Sequence, residues 1–279
     1  MAKLNKDLRK RFLVEPGRRV KLKQFDPDDT AGISPKARYD AILQRDIQRL
    51  FEQQSLLWAS RKYAVLVVLQ GLDAAGKDGT IRHVMTGLNP QACHVAAFKV
   101  PTEEEAHHDF LWRVHKQVPM RGEIGVFNRS HYEDVLVVRV HNLVPKGVWS
   151  ERYEQINDFE KILAKNQVIV LKFFLHISKK EQEKRLEQRI TDQRKNWKLS
   201  PSDFAEHKYF DEYVDAYEDA LTKCSTERAP WYVIPSNQKW FRNLAVAQIL
   251  ADTMVSLKLE YPPPAFDVKQ LREAVTSAK

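Results

Sequence analysis

Two cysteines, Cys93 and Cys224, are all that a chain of 279 residues contains. They cannot form a disulfide framework, and their scarcity fits a reducing cytoplasm. No apolar run approaches the roughly 20 residues that a membrane helix needs. The opening residues 1–19 lack the apolar core of a secretory leader, so neither a leader nor a membrane partner is expected. His107-His108-Asp109 has no further histidine or cysteine at ligand spacing, which argues against zinc. Neither cysteine has a C-x-x-C context or an adjacent base, and no G-x-S-x-G elbow occurs, so covalent nucleophilic catalysis is not expected. RNA-recognition signatures, zinc fingers and internal repeats are absent too.

What the chain has is charge. Its 45 Lys and Arg against 37 Asp and Glu leave +8, which points to an anionic partner of unspecified kind. The excess is local: +7 lies on residues 1–23, +4 on residues 179–198, and −3 on everything else. A general nucleic-acid footprint would need a broad basic body, so nucleic acid is not the expected partner. Residues 1–23 read either as a solvated arm or as a guide for a polyanion. An amphipathic helix follows at about 35–60.

From Tyr63 onward, short apolar runs alternate with amphipathic stretches. The strand-like runs are 64–70, 94–98, 124–128, 168–177 and 231–235. Helical patterns fill about 78–87, 103–117, 130–164, 180–190, 204–224 and 239–260. This alternation predicts an α/β domain, with a central five-stranded parallel sheet covered on both faces. Its functional loops are expected at the strand C-termini. The implied organisation is an arm plus helix at 1–60, a body at 61–265 and a peripheral tail at 266–279, because the prolines at 262–264 stop any helix.

The first strand runs into Gly71-Leu72-Asp73-Ala74-Ala75-Gly76-Lys77-Asp78-Gly79-Thr80, with a helix after it. That is the G-x4-G-K part of a Walker A loop in its required context. Backbone N–H groups can curl round phosphate oxygens, the helix N-terminus adds positive potential, and Lys77 supplies a cation. The competing reading is a glycine-rich structural turn. Where the usual Ser or Thr would follow the lysine stands Asp78, which helix N-terminal charge matching explains. Asp73, inside the loop, is a candidate for metal binding or for activating the acceptor.

The third strand ends in Asn128-Arg129-Ser130-His131-Tyr132-Glu133-Asp134. Beside a phosphate loop, Arg129 suits neutralising a moving phosphoryl group, and Asp134 or Glu133 suits holding Mg²⁺ or the acceptor. Ser130 with Glu133 also spells a capping box, compatible with that role. Residues 179–198 follow the fourth strand, where kinases carry a mobile lid; Arg185 and Arg189 share one helix face there. The bland alternative is a solvated helix with pairs such as Glu181–Arg185.

Four segments together carry a resemblance: the loop from Gly71, H-D-F-L-W-R-V-H-K-Q-V-P from His108, V-F-N-R-S-H-Y-E-D-V-L-V-V-R-V from Val126, and A-P-W-Y-V-I-P-S-N-Q-K-W-F-R-N from Ala229. They closely resemble the second family of polyphosphate kinases, over about Val14 to Tyr261. The resemblance implies a three-layer, thymidylate-kinase-like P-loop fold with a helical lid at about 179–204. It implies phosphorylation of purine nucleotides from inorganic polyphosphate with Mg²⁺ (Mn²⁺ as an alternative), and assembly as a homo-oligomer. Asp73 and Lys77 match the family's loop aspartate and lysine, Arg129 its Walker B arginine, and Asp134 an acid implicated with Asp73 in metal binding. Ala74, Ala75, Gly76, Lys77, Asp78, Gly79, Thr80, Arg185 and Arg189 become the phosphate-binding candidates. Asn128, Ser130, Glu133 and Arg113 are the nucleotide-binding candidates. Glu133 stands where members acting on nucleoside diphosphates carry Asn, so this version resembles the subgroup that accepts AMP and ADP. The rival readings are an ATP-dependent nucleotide kinase and a basic nucleic-acid-binding module.

Overall fold

The computed structural model describes residues 7–34, 39–198 and 201–277. Lys3 and Lys6 of the basic arm, residues 35–38 of the helix expected from about 35, and residues 199–200 of the expected lid lie outside them.

The strands are β1 (Ala64–Gln70), β2 (Cys93–Ala97), β3 (Ile124–Asn128), β4 (Val168–His176) and β5 (Trp231–Pro235). They form one parallel sheet in the order β2-β3-β1-β4-β5. The helices are α1 (Leu8–Phe12), α2 (Tyr39–Ser60), α3 (Lys77–Val84), α4 (Glu103–Ala106), α5 (Trp112–His115), α6 (Val137–Val140), α7 (Lys146–Lys165), α8 (Lys179–Thr191), α9 (Pro201–His207), α10 (Phe210–Cys224), α11 (Lys239–Ser256) and α12 (Val268–Ser277).

β1 explains why its sequence is continuously apolar rather than alternating. Val65, Val67 and Leu69 join the core shared with α2 and α11, while Ala64, Leu66 and Val68 join the core under α7 and α10. Each of these six is fully buried, and burying a Val or Leu contributes roughly 1.5–3 kcal/mol. From the central β1 the chain crosses toward β2 on one side, and from β3 it crosses back to β4 on the other. The crevice at that reversal is where α/β sheets bind ligands. Leu69 pairs with Asn128, so the loops that follow β1 and β3 emerge side by side.

Three helical patterns are interrupted. The stretch 103–117 is α4 and α5 separated by turns, and 204–224 breaks between α9 and α10. The stretch 130–164 is a 3-10 turn (His131–Asp134), α6 and then α7, which starts after Pro145. The described part of the arm, from Asp7, is also not a solvated tail. Leu8 and Phe12 are buried, Phe12 meets the Phe241 ring edge-on at 5.8 Å, and Leu13 bridges Tyr232 at the β5 edge. Arg11 pairs with Asp29 at 2.7 Å and Lys21 with Glu218. The tail helix α12 presents Val268, Leu271 and Val275 to solvent. Among the described residues no helix is long and apolar enough to cross a membrane.

Candidate active site

A cleft of about 1840 Å³ opens at the C-terminal ends of β1 and β3 and runs under α8. The loop after β1 forms its floor. Ala74 and Gly76 have φ of +62° and +106°, so the chain turns sharply enough to start α3 pointing into the cleft. Lys77 is only 8% exposed. Its Nζ donates to Gly71 O at 2.6 Å and to Leu72 O at 3.3 Å, leaving one of three ammonium donors for a phosphate oxygen. Burial, aided by Arg129, lowers its pKa to about 8 against the pull of nearby carboxylates. Asp78 accepts from Asn128 Nδ2 at 2.8 Å, which ties the start of α3 to the end of β3.

Thr80 departs from its expected place: it is fully buried and its hydroxyl donates to Gly76 O at 3.1 Å, inside the helix rather than toward a phosphate.

Arg129, at φ +63°, is the hub. Its N–H donates to Leu69 O at 3.1 Å, and its guanidinium donates to Asp73 Oδ1 at 2.6 Å and to Glu133 Oε2 at 3.0 Å. Glu133 and then Asp73 hold its pKa above the ordinary arginine value despite burial. The expected capping box does not form, although Ser130 still caps. Ser130 Oγ accepts from Tyr132 N at 3.2 Å rather than from Glu133 N, and Glu133 turns to Arg129 instead of reaching back. Ser130 is fully buried and takes a hydrogen bond from Gln70 at 3.1 Å, so it supports the turn and does not reach a nucleotide.

Asp134 faces Arg152, whose Nη1 donates to Oδ1 at 2.9 Å and to the backbone oxygen at 3.1 Å. Burial pushes its pKa up to about 6 although Arg152 and Arg113 pull it down. Arg113 is nearly buried, donates to Lys99 O at 2.8 Å and lies over the Phe98 ring. Behind this turn is a fully buried polar cluster. Lys172 Nζ donates to Glu160 Oε2 at 2.5 Å, to Tyr132 OH at 2.8 Å and to Cys224 O at 2.6 Å. His131 Nε2 lies 3.2 Å from Glu160 Oε1.

The two arginines of α8 lie four residues apart. Both border the cleft, with Lys184 and Arg194. Arg185 is 5% exposed and donates to Ala74 O, Ala75 O, Ser236 O and Asn237 O at 2.6–3.0 Å, besides its pair with Glu181. Its donors are thus engaged in bracing the phosphate loop. Gln182 Nε2 donates to Asp73 O at 3.0 Å, and its Oε1 lies 2.6 Å from His207 Nδ1 on α9. The sequence reading missed Gln182 and Arg152; an uncharged residue in a basic helix and an arginine mid-helix carry no local mark. Trp197 is 78% exposed and borders the cleft.

A glycine loop at the switch point of a parallel sheet, with an arginine and acids on the neighbouring strand, defines the fold and site of a P-loop phosphotransferase. Within that class the chain belongs to the polyphosphate kinase 2 (PPK2) family, whose model matches residues 34–261. An AMP/ADP-polyphosphate phosphotransferase of Meiothermus ruber is 51% identical over 259 residues, covering 91% of this chain and 96% of that protein. An ADP-polyphosphate phosphotransferase of Rhodopseudomonas palustris is 46% identical over 265 residues, covering 91% and 92%. The crystal structure of polyphosphate kinase 2 from Arthrobacter aurescens TC1 superposes with a TM-score of 0.94 at 43% identity, covering 99% of both chains.

Proposed function

We propose that this chain transfers the terminal phosphate of inorganic polyphosphate, reversibly, to AMP and to ADP. The observation that carries this reading is the position of Arg129 with Asp73 and Glu133, midway along one continuous cleft. One limb of the cleft, under α8 and the start of α11, offers Lys184, Arg189, Arg194 and Lys239. A donor made only of phosphates needs such charge and no base pocket. The other limb, by β2 and α5, offers Phe98, Lys99, Arg113 and Asp134, a mixed surface suited to a nucleotide. Two polyanions meeting end to end place their reacting phosphates at Arg129.

Transfer of this kind rests on positioning and charge stabilisation. Lys77 and the loop amides hold the terminal phosphate, Arg129 stabilises the charge that spreads over the moving group, and Asp73 orients the acceptor phosphate. The helix α8 above them excludes water as a competing acceptor. Mg²⁺ usually takes one or two carboxylates together with substrate phosphates. Among the described residues no three His, Cys, Asp or Glu side chains converge on one point, so water and substrate phosphates would complete any metal shell. Asp73, paired with Arg129, and Asp134, paired with Arg152, both border the cleft and are the candidates for such a shell. The ion, when bound, would neutralise charge on the phosphoryl oxygens.

The deciding experiment offers polyphosphate or ATP as sole donor, with AMP or ADP as acceptor, and separates nucleotides by chromatography. Formation of ADP and then ATP from AMP and polyphosphate is expected. Transfer from ATP with none from polyphosphate would overturn the proposal.

A further inference from the structure

Beneath the phosphate loop lies a cation without a carboxylate. Arg242, in the first turn of α11, is 3% exposed. Its Nη1 donates to Ala75 O at 3.1 Å, while Nε and Nη2 donate to the amide oxygen of Asn243 at 3.2 and 2.9 Å. Its charged neighbour is another cation, Arg185; burial first and Arg185 second lower its pKa to about 9. An ionised group buried without a counter-ion costs several kcal/mol, so the fold carries a standing electrostatic cost at this position.

The packing shows what the charge faces. A Cβ on Gly76 would lie 1.9 Å from Arg242 Nη1, and one on Gly79 would lie 3.2 Å from Nη2. The guanidinium therefore packs against the two glycines at the start of α3, where a side chain at Gly76 would force it to move. Arg242 also borders the cleft beside Gly76, Lys77 and Gly79, so its charge lies next to the place a donor phosphate would occupy. The Ala75 carbonyl is held from behind by both Arg242 and Arg185. In a planar trans peptide the carbonyl and the following N–H point in opposite directions, so this double hold turns the Gly76 N–H toward the cleft.

We propose that Arg242 is a positioning residue for phosphoryl transfer: it fixes the Ala75–Gly76 peptide with its N–H facing the donor phosphate, and its unpaired charge takes that phosphate as counter-ion. This deepens the function proposed above and rests on it for the identity of the donor. Short-range attraction near a buried group is far stronger than in bulk water, so binding the anion relieves the cost of burying the guanidinium.

The test is calorimetric titration of the full chain with inorganic tripolyphosphate, without nucleotide, at several salt concentrations. Arg242→Met should weaken binding about tenfold, or about 1.4 kcal/mol, and flatten the salt dependence, because one cation is gone. Its melting temperature without anion should equal or exceed that of the wild type. Arg242→Lys, which keeps the charge, should recover most of the affinity. Arg242→Gln, neutral but able to keep a bond to Ala75 O, carries the same expectation as Met should that variant not fold. Neutral variants binding within twofold of the wild type, or Lys and neutral variants losing affinity equally, would overturn the proposal. A wild type that binds tripolyphosphate yet never phosphorylates AMP or ADP from polyphosphate would sink the proposed function, while the same titrations still decide the role of Arg242.

Discussion

Arg129 donates to Asp73 at 2.6 Å, joining residues 56 positions apart in the sequence. The pairing becomes possible because β1 and β3 are neighbours and end level with one another. With Glu133 on its other branch, the guanidinium is held by two carboxylates before any substrate arrives. Arg129→Lys keeps a charge but cannot bridge both, and Asp73→Asn removes the carboxylate charge opposite Arg129. Each should lower kcat by about 10²–10³-fold, the scale of losing one transition-state donor, in a protein whose circular dichroism is unchanged. Near-wild-type turnover of either variant would remove Arg129 from the reacting centre.

Lys77 gives the site a pH limit. Its pKa, lowered to about 8 mainly by burial, means that the free enzyme loses the ammonium charge as pH rises through that value. The kcat/KM profile reports free-enzyme ionisations, so kcat/KM for polyphosphate should fall above about pH 8. In Lys77→Arg, which stays protonated, the plateau should be lower but that alkaline limb absent. A limb that persists in Lys77→Arg would assign it to another group.

Arg185 and Arg189 should separate experimentally. Arg185→Gln removes the side-chain donor to the carbonyls of Ala74, Ser236 and Asn237 and one of the two donors to Ala75 O, each unsatisfied group costing about 1–3 kcal/mol. It should lower the melting temperature together with kcat. Arg189→Gln should raise KM for polyphosphate with a smaller loss of melting temperature than Arg185→Gln shows. Steady-state kinetics beside thermal melts of both variants test the contrast.

The buried cluster behind the His131–Asp134 turn should behave as one unit. Burial pushes the Glu160 pKa up, but Lys172 and His131 outweigh it and the net shift is downward. Its ionised form therefore stabilises the fold above the unfolded carboxylate pKa, and this is lost as pH falls through the folded value. Lys172→Met or Glu160→Gln strands the other partner and should each cost about 3–5 kcal/mol at neutral pH. The double variant should cost less than the two singles added, as a denaturant-based mutant cycle would show.

The sheet was legible because its strands are buried on both faces and announce themselves as continuous apolar runs; observed and expected strand ends agree within one residue. The loop and the Arg129 cluster were legible because their chemistry is contiguous in sequence. What escaped is what distant packing decides. Nothing local separates Arg185 from Arg189, since the carbonyls that engage Arg185 come from the loop after β1 and the loop after β5. Gln182 and Arg242 matter for the same reason. The long helical pattern at 130–164 hid a turn because its apolar spacing runs through Pro145 without a break.

The arm shows how charge counting misleads when partners are remote. Residues 7–23 carry much of the chain's positive excess, yet Arg11 and Lys21 are paired with Asp29 and Glu218. No residue of 7–34 lines the cleft. Leu8, Phe12 and Val14 instead fill space between β5 and the helices on either face. A guide for polyanions would lose its preference for long polyphosphate when residues 1–13 are removed, with the body intact. The packing predicts a different result: deletion should lower the melting temperature sharply, and Leu8→Ala alone should cost about 2–5 kcal/mol. Arg11→Ala with Arg18→Ala, which removes charge but no core, should leave the ratio of kcat/KM for long and short polyphosphate unchanged. A drop in that ratio without loss of stability would restore the guiding role.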